Sequence, residues 1–234
     1  MDLYRVMANL LRVLPGAFLL LLLLAACSSS PSRPATYTVK RGDTVYAIAF
    51  KHKLDYRELA RWNGIGGDYL IYPGQVLRLY PPGGRVAKST PRPAPTRRPP
   101  TVPAPPPQPV GPPVQWQWPV DAGVPVLTTR PNGGQGLTIN GQLGQEIRAA
   151  GKGRVVYTGT GLLGYGQLVI IKHNDTYLSA YGHTEDVAVR EGDDVVAGQR
   201  VATMGSGPQG APMLYFEIRT NGAPGNPLLL LPPR

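Results

Sequence analysis

The sequence predicts a multidomain chain, a small α+β module of βααβ order followed by an all-β domain, joined by a disordered proline-rich segment. Three observations carry this reading. Proline is concentrated between Pro81 and Pro113, apolar residues at helical spacing fall between Val45 and Trp62, and short strand-like runs separated by glycine turns begin after Trp116. The chain holds 27 Pro and 29 Gly against 3 Phe in 234 residues. No single large core can run through such a molecule, and two modest cores are expected.

The first segment carries Arg5 and Arg12 ahead of an apolar run from Val13 to Leu24, which ends in Ala25-Ala26-Cys27. That run has the length of a secretory signal and falls short of the ~20 residues that a helix needs to cross a bilayer. Residues 1–26 therefore read as a signal peptide. Leu24-Ala25-Ala26-Cys27 resembles the lipobox of bacterial lipoproteins, which implies cleavage before Cys27, lipidation of Cys27 and a short spacer over 27–36. Several acyl chains on one residue hold a membrane stably, because each buried CH₂ contributes about 0.8 kcal/mol. Ser28 follows the cysteine in place of Asp, which by the same resemblance implies the outer membrane, facing the periplasm. Cys27 is the only cysteine, so the chain can form no internal disulfide and no multi-cysteine zinc site.

The first module spans 37–80. Tyr37-Thr38-Val39-Lys40 alternates like a strand, and Asp43 or Thr44 can cap a helix. Val45, Ile48, Ala49, Leu54, Leu59 and Trp62 then fit two short helices split near His52 and Lys53. Turns at Asn63-Gly64 and Tyr72-Pro73-Gly74-Gln75 lead to a closing strand, Val76-Leu77-Arg78-Leu79. This order, with Gly42-Asp43-Thr44, Asn63 and Pro73-Gly74-Gln75 in place, resembles a LysM module. The resemblance implies binding of N-acetylglucosamine-containing glycan, the peptidoglycan backbone, in a shallow groove. Its walls would be Gly42, Asp43, Thr44 and Val45 on one side and Asp68, Tyr69, Leu70 and Ile71 on the other. Asp43 and Thr44 can equally serve as caps alone.

The linker spans 81–115, with the composition of an extended tether. At the rise of a polyproline II helix its proline-rich part could reach about 100 Å. The formal net charge of +10 is concentrated around it: no acidic residue occurs from Tyr69 to Gln117, while Arg78, Arg85, Lys88, Arg92, Arg97 and Arg98 do. Such a stretch forms no binding groove, so nucleic acid is not the expected partner. The charge reads as a solvated tether, or as attraction to a polyanionic wall or headgroup layer.

Residues 116–234 read as all-β, with strands at 153–157, 168–171, 177–181, 187–189, 195–196, 201–203 and 214–218. Lys172-His173-Asn174-Asp175 and Arg190-Glu191-Gly192-Asp193 read as hairpin connections. The runs Gly164-Tyr165-Gly166-Gln167, Tyr181-Gly182-His183, Val196-Ala197-Gly198-Gln199, Met204-Gly205-Ser206 and Phe216-Glu217-Ile218-Arg219, with Asn226-Pro227 near the end, resemble the LytM or M23 zinc endopeptidases. The resemblance implies a barrel-sandwich type of β domain.

Active members of that family hold zinc with a His, an Asp four residues later and the second His of a His-x-His, and two further histidines act on the reacting groups. Here the first two positions fall on Gly134 and Thr138, the His-x-His falls on Met213 and Tyr215, and His183 alone survives. A catalytic zinc needs about three protein ligands and one open position. Gly134 has no side chain, Thr138 and Tyr215 are poor ligands, and His52 and His173 lie elsewhere, so neither metal nor cofactor is expected. Alternation along the last strand points Leu214, Phe216 and Ile218 into the core and Met213, Tyr215 and Glu217 to the cleft face. Glu217 is an oxygen donor on that face, and His183 reads either as a contact residue or as a relic held by backbone.

A lipid-anchored LysM protein with a degenerate LytM domain resembles the NlpD-type amidase activators. The resemblance implies a pseudo-peptidase whose cleft, around Gly134, Thr138, His183, Met213, Tyr215 and Glu217, docks an N-acetylmuramoyl-L-alanine amidase during septal wall splitting and daughter-cell separation. Two rival readings remain: a non-catalytic peptidoglycan tether, and a cryptic endopeptidase.

Overall fold

A computed structural model of the chain describes residues 35–82, 113–130 and 134–234. The signal segment, Cys27 and most of the proline-rich linker lie outside the described residues. The first module is built as β1 (Thr36–Thr38), α1 (Val45–His52), α2 (Tyr56–Trp62) and β2 (Val76–Arg78), with β1 and β2 antiparallel. Thr44 caps α1 by accepting from the Ala47 amide at 3.1 Å, and Asp55 caps α2 through the amides of Arg57 and Glu58. Lys53, left-handed at φ 55, ends α1 with its amide on the carbonyls of Ala49 and Phe50. Asn63 then ties the end of α2 to β2, donating to the Leu59 and Arg78 carbonyls and accepting from the Arg78 amide at 2.7 Å.

The second domain is an antiparallel sheet of β3 (Pro125–Thr129), β4 (Gln135–Asn140), β5 (Glu146–Arg148), β6 (Gly153–Gly159), β7 (Gln167–Lys172), β8 (Tyr177–Val187), β9 (Asp194–Val195), β10 (Arg200–Met204), β11 (Met213–Thr220) and β12 (Ala223–Gly225). The main path runs β3-β4-β11-β8-β7-β6-β9, and β10 pairs with both β5 and the far end of β8. The long strand β8 thus passes from one layer to the other. It replaces the two separate strands expected at 177–181 and 187–189. The 190–193 turn also differs from expectation: it delivers the chain from β8 to β9, which pairs with β6, so it does not join hydrogen-bonded neighbours. The strands β3, β4, β5 and β12 are additional to those read from sequence.

Alternation gives the sheet two apolar faces. Val169, Ile171, Tyr181, Leu214, Phe216 and Ile218 face the layer of β5 and β10, where Ile147, Val201 and Met204 complete a core. Leu168, Ile170, Leu178, Ala180 and Tyr215 face the other way. A register shift in β6 between Val155 and Tyr157 turns Val156 and Tyr157 onto this second face. Two cores form, as expected, but not one per domain: the second face shares its core with Val45, Ile48, Phe50, Tyr56 and Leu59 of the first module. The LysM-like module therefore sits against the sheet. Tyr56 donates to Asp175 at 3.1 Å, Arg57 to the Asn221 side chain at 2.9 Å, and Thr44 to the Val156 carbonyl at 3.2 Å.

The chain re-enters the described residues along the opposite edge. Val114 lies against Gly151, the Gln117 amide donates to Ala150, and Trp118 Nε1 donates to the Pro232 carbonyl at 3.0 Å. His173 is enclosed beneath this strap, edge-on to Trp116, with Nδ1 2.8 Å from the Lys152 carbonyl and Nε2 2.7 Å from Ser179 Oγ. Burial lowers its pKa from 6.5 to about 4. The folded ring stays neutral where the unfolded one takes up a proton, so its contribution is whole above pH 6.5 and is lost as pH falls from 6.5 toward 4. Denaturant titrations at pH 7.5 and pH 5 should show an acid loss on the order of 1–2 kcal/mol that His173→Gln removes. An equal loss in the variant would assign the effect to carboxylates instead.

Candidate partner-binding cleft

The cleft lies where β4, β11 and β8 run side by side. Tyr215 pairs with Thr138 on one flank and Gly182 on the other, which brings it next to His183. Thr138, Tyr215 and His183 are thus gathered at one place, while Gly134 stands just before β4. The Thr138 hydroxyl lies 2.8 Å from that of Thr128, Gly134 accepts from the Arg130 amide, and Met213 packs its sulfur onto Gly207. A Cβ at Gly136 would stand 2.6 Å from Tyr215 Oη and 2.8 Å from the Phe216 carbonyl, so glycine there makes room for the phenol.

Glu217 is wholly buried and points beneath Tyr215. Its Oε2 accepts from the hydroxyls of Tyr165 at 3.2 Å and Tyr215 at 3.3 Å, and its Oε1 accepts from Arg219 Nε. Burial first, and the Glu217 charge second, raise the pKa of both phenols, that of Tyr165 to about 12, so both remain donors. The carboxylate is therefore engaged in a structural network beneath the cleft.

Arg130 was not singled out from sequence, yet it is central to the site. Its Nη2 donates to the Gly164 carbonyl at 2.7 Å, and its guanidinium stands 4.0 Å from the centre of the Tyr165 ring and 4.8 Å from that of Tyr215. A cation over two electron-rich rings is an attractive arrangement. His183 adopts a left-handed backbone, φ 58, fixed by its amide on the Tyr165 carbonyl and its carbonyl on the Gly205 amide. Burial first and the Arg130 charge second lower its pKa, so the ring is neutral at pH 7. The residues present do not fit a catalytic zinc. One neutral imidazole stands beside a guanidinium, and the nearest carboxylate is held by two tyrosines and an arginine.

Of the residues for which the LysM resemblance implies glycan contact, Thr44, Val45 and Tyr69 face the second domain. Asp43 is taken up locally, accepting from Tyr37 Oη and the Lys40 amide, both at 2.8 Å. Thr44 caps α1 and donates to Val156, Val45 is buried, and Gly42 is exposed with φ 81. Across from them Tyr69, φ 56, packs edge-on to Tyr56 and tilted against Tyr46, while Asp68 and Leu70 are exposed and Ile71 is half-buried. Thr44, Asp68 and Tyr69 border a crevice of about 550 Å³ whose other wall carries Arg154, Lys172 and Glu191.

The comparisons with known proteins agree with this geometry. Residues 132–227 match peptidase family M23 and residues 37–79 match the LysM domain, which defines the chain as a LysM protein with an M23-fold domain. A lipoprotein NlpD/LppB homolog of Pseudomonas aeruginosa is 44% identical, covering 91% of this chain and 89% of the relative. Lipoprotein YgeR of Escherichia coli is 41% identical, covering 91% and 90%. Murein hydrolase activator NlpD of Escherichia coli is 36% identical, covering 86% and 68%. The chain belongs to the NlpD/LppB lipoprotein family.

Glu217→Ala should lower stability by about 3–5 kcal/mol, because it leaves Arg219 buried without its counter-charge. Urea unfolding followed by tryptophan fluorescence measures it. A loss below about 1 kcal/mol would mean that water already reaches the pair.

Proposed function

We propose that this chain is an outer-membrane lipoprotein, anchored through Cys27 and facing the periplasm, that binds peptidoglycan and activates an N-acetylmuramoyl-L-alanine amidase for septal wall splitting. One observation carries the reading: the positions at which the M23 resemblance implies metal ligands hold Gly134, Thr138 and Tyr215, with Met213 at the other position of the His-x-His and Arg130 over the aromatic floor. Such a site does no hydrolysis of its own. It offers a soft thioether, a neutral imidazole and a cation over two rings, a mixture suited to a protein surface. Met213, Thr138 and Arg130, each half-buried, form the rim, and the buried His183, Tyr215 and Glu217 form the support under it. Activation is then a population shift, in which the domain binds the open form of the amidase more tightly than the closed one. The LysM groove supplies residence on the glycan, and the names of the relatives support a hydrolase as the partner.

The test is dye release from labelled sacculi by the mature chain carrying Cys27→Ser, by a candidate periplasmic amidase, and by both together. Release by the mixture alone is expected. Chelator-sensitive release by the chain itself would establish an endopeptidase, and no release with several amidases would leave a wall tether. The triple change Gly134→His, Thr138→Asp and Tyr215→His should reduce activation at least tenfold by displacing Arg130 and the aromatic floor. Unchanged activation would move the amidase contact off this cleft.

A further inference from the structure

We propose that the LysM module is a glycan-sensitive cap on the cleft of the second domain: docked, it shields the cleft from a partner protein, and occupation of its glycan loops favours release. The proposal rests on the cleft reading above and adds the regulation of that site.

The docked contact is built like an interior. Phe50 of α1 is 2% exposed, its ring stands edge-on to Tyr165 at 5.3 Å, and its carbonyl accepts from Arg219 Nη1 at 2.6 Å. Tyr165 is the same residue that carries Arg130 on its face and hydrogen-bonds Glu217. The module thus reaches the floor of the cleft, and a protein that bound Tyr215 and Tyr165 broadly would meet α1 first. Backbones also approach closely at the β11–β12 turn, where a Cβ on Gly222 would stand 2.2 Å from the Leu54 carbonyl.

Two features make this contact reversible. The Glu217–Arg219 pair is fully buried, and the desolvation of such a pair offsets much of its attraction, so release to water costs little at that point. Tyr56 to Asp175 and Arg57 to Asn221 are part-buried, and the exposed Asp175 and half-buried Arg57 lie at the rim, where water can replace their partners.

The glycan loops are themselves part of the docked surface. Thr44 spends its hydroxyl proton on the Val156 carbonyl, Val45 lies in the shared core, and Tyr69 has Lys172 6.0 Å above its ring. A glycan that uses those groups competes with docking, and by reciprocity it favours the form in which the cleft is open. The arrangement confines amidase capture to chains already on the wall.

The test uses the mature chain with Cys27→Ser, which removes its only thiol. Cysteines are placed by Lys51→Cys and Gly161→Cys, two exposed positions that border one narrow crevice between α1 and the β6–β7 connection. A short bismaleimide then reports the docked population and, once reacted, locks it. The docked form should cross-link in high yield. The N-acetylglucosamine pentasaccharide should lower that yield at least threefold, and so should the wedge Gly222→Asn, whose backbone conformation asparagine tolerates. The locked chain should bind a periplasmic amidase at least tenfold more weakly than the unreacted one. Equal binding by locked and unreacted chains overturns the cap, as does a yield that neither wedge nor pentasaccharide changes. If no amidase binds any form, the activator reading fails while the yields still decide whether the LysM docks and releases.

Discussion

Glu217 has no exposed surface, and the centre of the molecule is arranged around that constraint. A carboxylate without water needs donors for both oxygens, and it has three: two phenols and a guanidinium. Each donor has a second task. Tyr165 carries Arg130 on its face, Tyr215 fills a former ligand position, and Arg219 reaches the main chain of the first module at Phe50. A single buried negative charge therefore joins the cleft, the sheet and the LysM helix into one network. Neutralising it would loosen all three, because each remaining partner would be left with an unpaired polar group.

The sheet can hold this network because its strands are two-faced. One face closes on the β5 and β10 layer and makes the domain a self-sufficient sandwich. The other carries Leu168, Ile170, Leu178 and Ala180, an apolar surface that the LysM helices cover. Burying Phe50 alone there contributes about 1.5–3 kcal/mol. That is the share of one side chain in a contact that Val45, Ile48, Tyr56 and Leu59 also build. A second domain with its own complete core can release its cap without unfolding.

Much of this was legible in the sequence, and the exceptions have physical causes. The LysM-like module is readable because its signals are local: Thr44 and Asp55 cap, Lys53 and Gly64 stop, and the apolar spacing fixes the buried face. The alternation of Leu214, Phe216 and Ile218 against Met213, Tyr215 and Glu217 gave the correct two faces of β11. The strand β4 escaped notice because Gly136 answers to the bulk of Tyr215 across the sheet, a tertiary demand that overrides local propensity. The strand β3 begins at a proline on the sheet edge, and β5 is only Glu146–Arg148. Arg130 carries no local mark either, since its role depends on rings from β11 and from the connection before β7. The proline-rich composition suggested two domains held apart, but chain composition sets reach and says nothing of affinity between the ends.

Arg130 stands over the Tyr215 ring, beside the place to which the M23 resemblance assigns a metal. Ligand positions of an M23 site cannot simply be emptied, because the surrounding strands would be left with a cavity. The chain fills the volume with Tyr215 and Met213 and supplies a single positive charge from Arg130, held by the rings of Tyr165 and Tyr215 and the Gly164 carbonyl. A guanidinium stays protonated and offers no open coordination position, so Arg130 cannot do what a metal would do there. What remains is a rigid, positively charged recess with an aromatic floor.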